Sequence, residues 1–465
     1  MEDAGDCAMT AFALRLAKHL SDDSNGGAGE GNNKNLVFSP VSLYAALALV
    51  AAGARGTTLH ELLALLGAAS LDDLEESVRR AVEVGLADES SASGGPRVAY
   101  ACGVWHDEML ALKPAYRAAA VESYKAETRA ANFHGQVCRI FIALVCDFVL
   151  RSPTFVDRLM DIVRLIDLVS QKFNVQPENE RTEINEWVSK ATNELIPEIL
   201  PEKSVHSLTA LVLVNAIYFK GNWSMPFPRK STTTGKFHRL DGCSVDAPFM
   251  TSRRKQYVGW YDGFKVLKLP YHQPATTRHG ADDDTAAPAT IPSYYEEEEE
   301  EEEHVGLSMC TFLPDARDGL PALVDEMASS SGAGSFLRGH RPTRRCEVGE
   351  LRVPRFKVSF YSQINEVLKG MGVEAAFDVH KADLSGMVDG GQQGGLVVEK
   401  VMHRAVVEVN EEGTEAAAST ACTMRLLSMI YPVDFVADHP FAFFVVEEVS
   451  GAVLFAGHVL DPTSS

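Results

Sequence analysis

The chain reads as a single α+β domain, residues 1–465, with most helices early and most strands late. Three observations predict this. Ala- and Leu-rich segments with helical spacing crowd the first two hundred residues, near-continuous apolar and β-branched runs crowd the remainder, and 46% hydrophobic content over 465 residues is enough to bury a large core. No internal repeat interrupts the order.

In chain order, helices are predicted over 8–20, 40–52, 58–66, 114–124 and 183–195, each with apolar residues on one face and good helix formers between them. Residues 210–219 form an almost unbroken apolar run, which suits a central strand covered on both faces. A second strand signal covers 257–269, and later ones cover 352–360, 397–409, 441–446 and 452–459, with one more helix at 363–371. Short flexible loops are expected at 21–33 and at 88–96, the latter carrying Ser90-Ser-Ala-Ser-Gly-Gly95.

Lys plus Arg total 43 against 64 Asp plus Glu, a formal net charge of −21. That field repels phosphate, so neither nucleic acid nor an anionic membrane surface is expected as a non-specific partner. Residues 272–304 hold eleven acids, including Asp282, Asp283, Asp284 and the unbroken run Glu296 to Glu303, against Arg278 alone, for a local net of −10. Such a stretch cannot build a core and is expected to be a solvated, disordered loop, either a plain linker or a recognition tail for a basic partner.

Eight cysteines are spread through the chain with no CxxC pair, which reads as reduced and mostly buried thiols. The acidic start Met1-Glu-Asp-Ala-Gly-Asp6 lacks the basic-then-apolar pattern of a secretory signal. An intracellular location, cytoplasmic or nuclear, is therefore expected. The longest apolar run of interest, 140–146, is flanked by Arg139 and Asp147 and falls well short of the roughly 18 residues a membrane span needs.

Enzyme signatures fail one by one. His60-Glu61 begins an HExxH pattern that Ala64 breaks, and neither a GxSxG elbow nor a GxxxxGK[ST] phosphate loop occurs. Gly390-Gly-Gln-Gln-Gly-Gly395 is followed by a strand rather than a helix, so it reads as a turn and not a phosphate cradle. The 14 histidines show no ligand spacing, so no metal and no cofactor is expected. Asn222-Trp-Ser224 fits the glycosylation pattern, which is unused without export.

The informative segment runs from Glu408 to Ala421. A strand-like run leads into acids and Gly413, then into a tract in which every residue is small. An Ala-rich linker or helix is one reading. The other is a mobile loop able to become a strand, since Thr414, Ala416, Ala418 and Thr420 alternate onto one face and are all small and uncharged.

At this point the chain resembles the serpins, and among them the plant serpins of the Z type. The motifs are Asn35-Leu-Val-Phe-Ser-Pro-Val-Ser-Leu43, Gly53-Ala-Arg-Gly-Thr57, Leu213-Val-Asn-Ala-Ile-Tyr-Phe-Lys-Gly-Asn-Trp223, Val353-Pro-Arg-Phe-Lys357 and Glu411-Glu-Gly-Thr-Glu-Ala-Ala-Ala418. Phe435-Val-Ala-Asp-His-Pro-Phe441 and Gly457-His-Val-Leu-Asp-Pro462 complete a set that spans nearly the whole chain in order.

The resemblance implies helices packed around three β-sheets, with an exposed reactive-centre loop at 411–432. It implies a monomeric inhibitor with no catalytic residue of its own, which traps a protease as an acyl-enzyme when the cut loop inserts into the central sheet. The insertion hinge would be Glu411, Glu412, Gly413, Thr414, Glu415, Ala416, Ala417 and Ala418. Fifteen residues counted from Gly413 place the reactive bond at Leu427-Ser428, which suits a chymotrypsin-like, elastase-like or papain-like protease. A rival bond, Arg425-Leu426, would suit a trypsin-like or metacaspase-like target. Ser39, Ser42, Asn215 and His403 match the family's buried polar cluster beneath the opening of the sheet, and Trp223, Arg355 and Glu411 match the region where the loop first enters, with Arg355 and Glu411 able to pair. A non-inhibitory serpin used for storage or binding is the alternative.

The chain departs from the family pattern twice. The acidic loop at 272–304 lengthens a turn between paired strands. Residues 134–175 carry roughly forty residues more than the family pattern has. Within them Phe155, Leu159, Ile162, Ile166 and Val169 recur at helical spacing, as in an amphipathic helix for a partner. The competing reading is translated sequence from a misplaced exon boundary.

Overall fold

The computed structural model describes residues 4–26, 34–86, 95–133, 175–272, 306–329, 333–389, 396–412 and 432–464. Its helices are α1 (Ala4–Gly26), α2 (Pro40–Gly53), α3 (Gly56–Leu66), α4 (Leu71–Gly85), α5 (Pro114–Glu122), α6 (Val175–Ala191), α7 (Leu320–Ser329), α8 (Ala333–Gly339) and α9 (Asn365–Gly370). Its strands are β1 (Leu36–Phe38), β2 (Arg97–Asp107), β3 (Glu127–Ala131), β4 (Leu211–Lys220), β5 (Thr233–His238), β6 (Ser244–Thr251), β7 (Gln256–Tyr261) and β8 (Phe264–Pro270). They continue with β9 (Leu307–Pro314), β10 (Arg345–Cys346), β11 (Val348–Pro354), β12 (Phe356–Gln363), β13 (Lys400–Val409), β14 (Val433–Val436), β15 (Phe441–Glu447) and β16 (Val453–Val459).

The expected α+β class with three sheets is what these elements build. One sheet has five strands in the order β12-β13-β4-β2-β3, another has seven in the order β1-β16-β15-β9-β8-β7-β10, and the third has four in the order β14-β11-β6-β5. In the five-stranded sheet β4 pairs antiparallel with β2 but parallel with β13, from Lys400↔Val212 to Val407↔Phe219.

Burial explains why the central elements form. On β4, Leu211 and Leu213 face the core beneath the N-terminal helices, while Val212, Val214 and Ala216 face a separate core that includes Ile184 and Val188 of α6. With both faces covered, the strand has to be apolar throughout. Helix α2 is buried on nearly every side, so it carries no polar stripe. Ser39 caps it by accepting the Ser42 N–H, and Pro40 fills the first turn, where a missing N–H costs nothing.

Several elements differ from the sequence expectation. The run 257–269 is not one strand but the hairpin β7-β8, which pairs Tyr261 with Phe264 and turns at Asp262-Gly263, where Gly263 takes φ 82°. Asp-Gly is a favoured two-residue turn, and the apolar residues on either side hid it. The run 352–360 breaks at Arg355 into β11 of the four-stranded sheet and β12 of the five-stranded sheet. Helix α1 continues through residues 21–26, expected as loop, and α6 begins at Val175 and ends before Asn193 and Glu194, which take positive φ. Cys102 and Cys310 are buried thiols as expected, but Cys243 is exposed and Cys346 is half-buried.

Residues 134–174, 273–305, 390–395 and 413–431 lie outside the described residues. The atypical insertion, the body of the acidic loop, the Gly-rich turn and nearly all of the reactive segment fall there. The chain on either side of 273–305 is described: β8 and β9 are paired up to Pro270↔Ser308, and the Tyr271 N–H donates to Leu307 O at 2.9 Å. Among the described residues no helix is long and apolar enough to cross a membrane.

Candidate functional site

The first cluster sits under the parallel seam between β4 and β13. Asn215 and His403 are register partners across it, and the start of α2 brings its N-cap Ser39 and first-turn Ser42 beneath them. All four are fully buried. Asn215 Oδ1 accepts from Ser42 Oγ at 2.8 Å and from His403 Nδ1 at 2.8 Å, and Asn215 Nδ2 donates to Ser42 O at 3.0 Å. His403 Nε2 accepts the Ser39 backbone N–H at 3.2 Å, which places the ring proton on Nδ1. Burial pushes the imidazole down to about 3, so it is neutral. The cluster therefore ties α2 to both central strands through mutually satisfied hydrogen bonds.

The second cluster lies where β13 ends. Trp223 Nε1 donates to Asn410 O at 2.8 Å, and its indole stacks on Tyr271 with ring centroids 4.5 Å apart and planes at 12°. The Glu411 carboxylate is only 8% exposed. It meets Arg355 Nε at 3.4 Å and accepts from Thr232 Oγ1 at 2.7 Å. Glu412 pairs with Arg229 and reaches Lys220 at 3.8 Å, while its N–H donates to Asn410 Oδ1 at 2.9 Å. Thus Trp223, Arg355 and Glu411, far apart in sequence, meet in one place. Thr232, Asn410, Lys220 and Arg229 join them without having been singled out, because the decisive acceptor is a backbone carbonyl and the cations look like ordinary surface charges.

Beyond Glu412 the chain re-enters the described residues at Pro432 and continues as β14, which runs parallel to β11 from Val348↔Val433. Residues 413–431 therefore link the end of the five-stranded sheet to the four-stranded one. Gly413, Thr414, Glu415, Ala416, Ala417, Ala418, Arg425, Leu426, Leu427 and Ser428 all belong to that link and lie outside the described residues. Among the described residues no group of three or more His, Cys, Asp or Glu could hold a metal ion.

The comparisons with known proteins agree with this geometry. The family model for Serpin (serine protease inhibitor) matches residues 7–139, 149–287 and 289–462. Serpin-Z2A of rice, Oryza sativa subsp. japonica, is 69% identical over 469 residues and covers 100% of both chains. Serpin-Z2B of the same organism is 64% identical and covers 100% of this chain and 99% of its own. A solved structure of Arabidopsis AtSerpin1 in its native stressed conformation superposes with a TM-score of 0.76 at 35% identity, covering 100% of each chain. The match over nearly the whole length and the identity to these full-length relatives show that the chain belongs to the serpin family of protease inhibitors and, within it, to the plant Z type.

Proposed function

We propose that the protein is an irreversible suicide-substrate inhibitor whose reactive bond is Leu427-Ser428. A target serine or cysteine protease attacks the Leu427 carbonyl carbon, the Ser428 amine leaves with a proton, and Leu427 stays esterified, or thioesterified, to the protease. The freed arm from Gly413 onward then enters the five-stranded sheet between β4 and β13 and carries the protease with it. Distortion of the protease blocks attack by water.

The observation that supports this reading is the parallel pairing of β4 and β13. A chain that reverses direction at the end of β13 runs antiparallel to β13, and therefore antiparallel to β4 as well. Insertion would replace one parallel seam with two antiparallel ones, which pair slightly better per residue and add a full strand of ladder. The flanking strands are 10 residues each, so an arm of about 14 residues, roughly 45 Å long, is long enough to span the slot. The Asn215–His403 hydrogen bond crosses the seam and has to break first, which gives the uncut form a barrier to opening. The unpaired thiols of Cys102, Cys243, Cys310 and Cys346 support placement in a reducing, intracellular compartment.

The test is incubation with chymotrypsin, trypsin and papain in turn, followed by a denaturing gel and a thermal melt. An SDS-resistant adduct with chymotrypsin or papain and a raised melting temperature after loop cleavage are expected. Cleavage without adduct and without a rise in melting temperature would instead assign a non-inhibitory storage or binding role.

A further inference from the structure

In a chain of net charge −21, the surface beside the loop's departure point is basic. Thr251 Oγ1 donates to Ser231 O at 2.9 Å, so the end of β6 is fastened to the 229–231 turn, and Arg229 of that turn pairs with Glu412. Lys255 is four residues past Thr251, which keeps it within about 14 Å along the chain. Two short basic stretches, 229–230 and 253–255, thus lie on one side of the loop base.

Among the described residues, the acids that end β13 are already paired. Glu411 is matched by Arg355, Glu412 by Arg229 and Lys220, and Glu408 by Lys220 at 3.1 Å and Lys357 at 3.9 Å. Lys230, Arg253, Arg254 and Lys255 are exposed and have no ion-pair partner among the described residues. Four exposed cations without an ion-pair partner among the described residues thus stand on two stretches that one hydrogen bond holds together.

We propose that Lys230, Arg253, Arg254 and Lys255 form a recruitment surface for an acidic face of the target protease, beside its active-site cleft. This rests on the inhibitory reading above. A protease that engages the loop lies over its base, so contacts there act at high local concentration. Screening confines their reach to about 8 Å at physiological ionic strength, which suits docking rather than long-range capture. A polyanion such as a sulfated polysaccharide would answer the same charge, but the place of the patch at the base of the loop that the protease must engage favours the protease.

The probe is chymotrypsin, unmodified and with its surface lysines succinylated to carboxylates, in each case with its catalytic serine blocked so that only docking is measured. Wild-type chain is expected to bind the succinylated form about tenfold more tightly at low salt than the fourfold variant Lys230→Glu, Arg253→Glu, Arg254→Glu, Lys255→Glu. The advantage should shrink as salt is added. Equal affinities and equal salt dependence for wild type and variant overturn the proposal. So does patch-dependent binding to heparin-agarose with no patch-dependent binding to the protease, which would assign the surface to a polyanion. Because the blocked protease forms no acyl bond, a failure here is distinct from a failure of trapping, which the active enzymes report. The variant's urea midpoint, matched to wild type, shows that the substitutions leave the fold intact.

Discussion

Asn215 Oδ1 and His403 Nδ1 lie 2.8 Å apart across the seam between β4 and β13, so one side-chain hydrogen bond spans the line along which the central sheet would part. The other ring nitrogen faces the Ser39 N–H. A second proton on the imidazole would point one N–H at another, and for that reason geometry as well as burial opposes charging it.

A pH dependence of stability follows. Burial pushes His403 down to about 3 and His458 down to about 4, both from an ordinary value of 6.5. The folded values lie below the unfolded one, so between about pH 4 and pH 6 the unfolded chain binds more protons, and stability rises with pH across that window. It is fully present above the unfolded value and is lost as the pH falls toward the folded ones. Each group contributes up to about 1.4 kcal/mol per pH unit there. Urea unfolding across this range should show a slope that decreases by one proton in His403→Gln. A slope unchanged by that substitution would remove His403 from the account.

Thr414 begins the alternating small face of the arm. If the arm inserts as proposed, Thr414→Arg would force a guanidinium into the sheet interior, at a cost of several kcal/mol by the usual penalty for a buried unpaired charge. The expected result is a loop cut at the normal rate with no SDS-resistant adduct, and with no rise in melting temperature after cutting. Undiminished trapping by this variant would mean that the residue never enters the sheet.

The two candidate bonds differ in their products. A cut at Leu427 releases a peptide that starts at Ser428, whereas a cut at Arg425 releases one that starts at Leu426. Mass spectrometry of the released C-terminal fragment separates them by two residues. Chymotrypsin should yield the Ser428 fragment, and Leu427→Asp should slow its association by about 100-fold or more, as expected for a charge offered to an apolar pocket. A dominant Leu426 fragment with a trypsin-like enzyme, trapped faster than chymotrypsin, would move the reactive bond to Arg425.

Trp223 closes the end of β13 through its indole N–H, which meets Asn410 O at 2.8 Å. Trp223→Phe keeps a ring to stack on Tyr271 but leaves that carbonyl without its side-chain donor. A loss of about 1 kcal/mol in unfolding free energy is expected. Chemical denaturation reads it directly, and Asn410 loosening its neighbour Glu411 should appear as faster amide exchange at Glu412. A variant as stable and as protected as wild type would leave the indole N–H with packing alone.

Legibility in the sequence followed the physics of each element. Strand β4 was readable because both of its faces are buried, which leaves a continuous apolar run. Its antiparallel partner β2 was not, because Ala99, Ala101, Cys102 and Gly103 are small and show neither alternation nor β-branching. Helix α4 is absent from the sequence expectation although Ser70 caps it and Asp72 and Asp73 favour its first turn. Ser39, Ser42, Asn215 and His403 came from family resemblance alone, since a single strand histidine announces nothing about a serine 364 positions away. Partners that are backbone atoms, such as Asn410 O, leave no trace in side-chain pattern.

Gly103 shows what set β2 in place. A Cβ at that position would sit 2.8 Å from Trp187 Cη2 and 3.2 Å from Cζ3. The Trp187 ring has little room to retreat: its Nε1 donates to Glu127 Oε1 at 3.1 Å, it meets Trp105 edge to face at 5.9 Å, and the Arg129 guanidinium lies over it at 5.6 Å. Gly103→Ala therefore has to push α6 outward or tilt the indole, at a cost of about 1–3 kcal/mol for an overpacked site. Trp187→Phe removes the outer ring that the new methyl meets. In that background Gly103→Ala should cost markedly less, so the two substitutions couple rather than add. Urea midpoints for the two single variants and the double variant measure the coupling, and strictly additive losses would place the strain somewhere other than this contact.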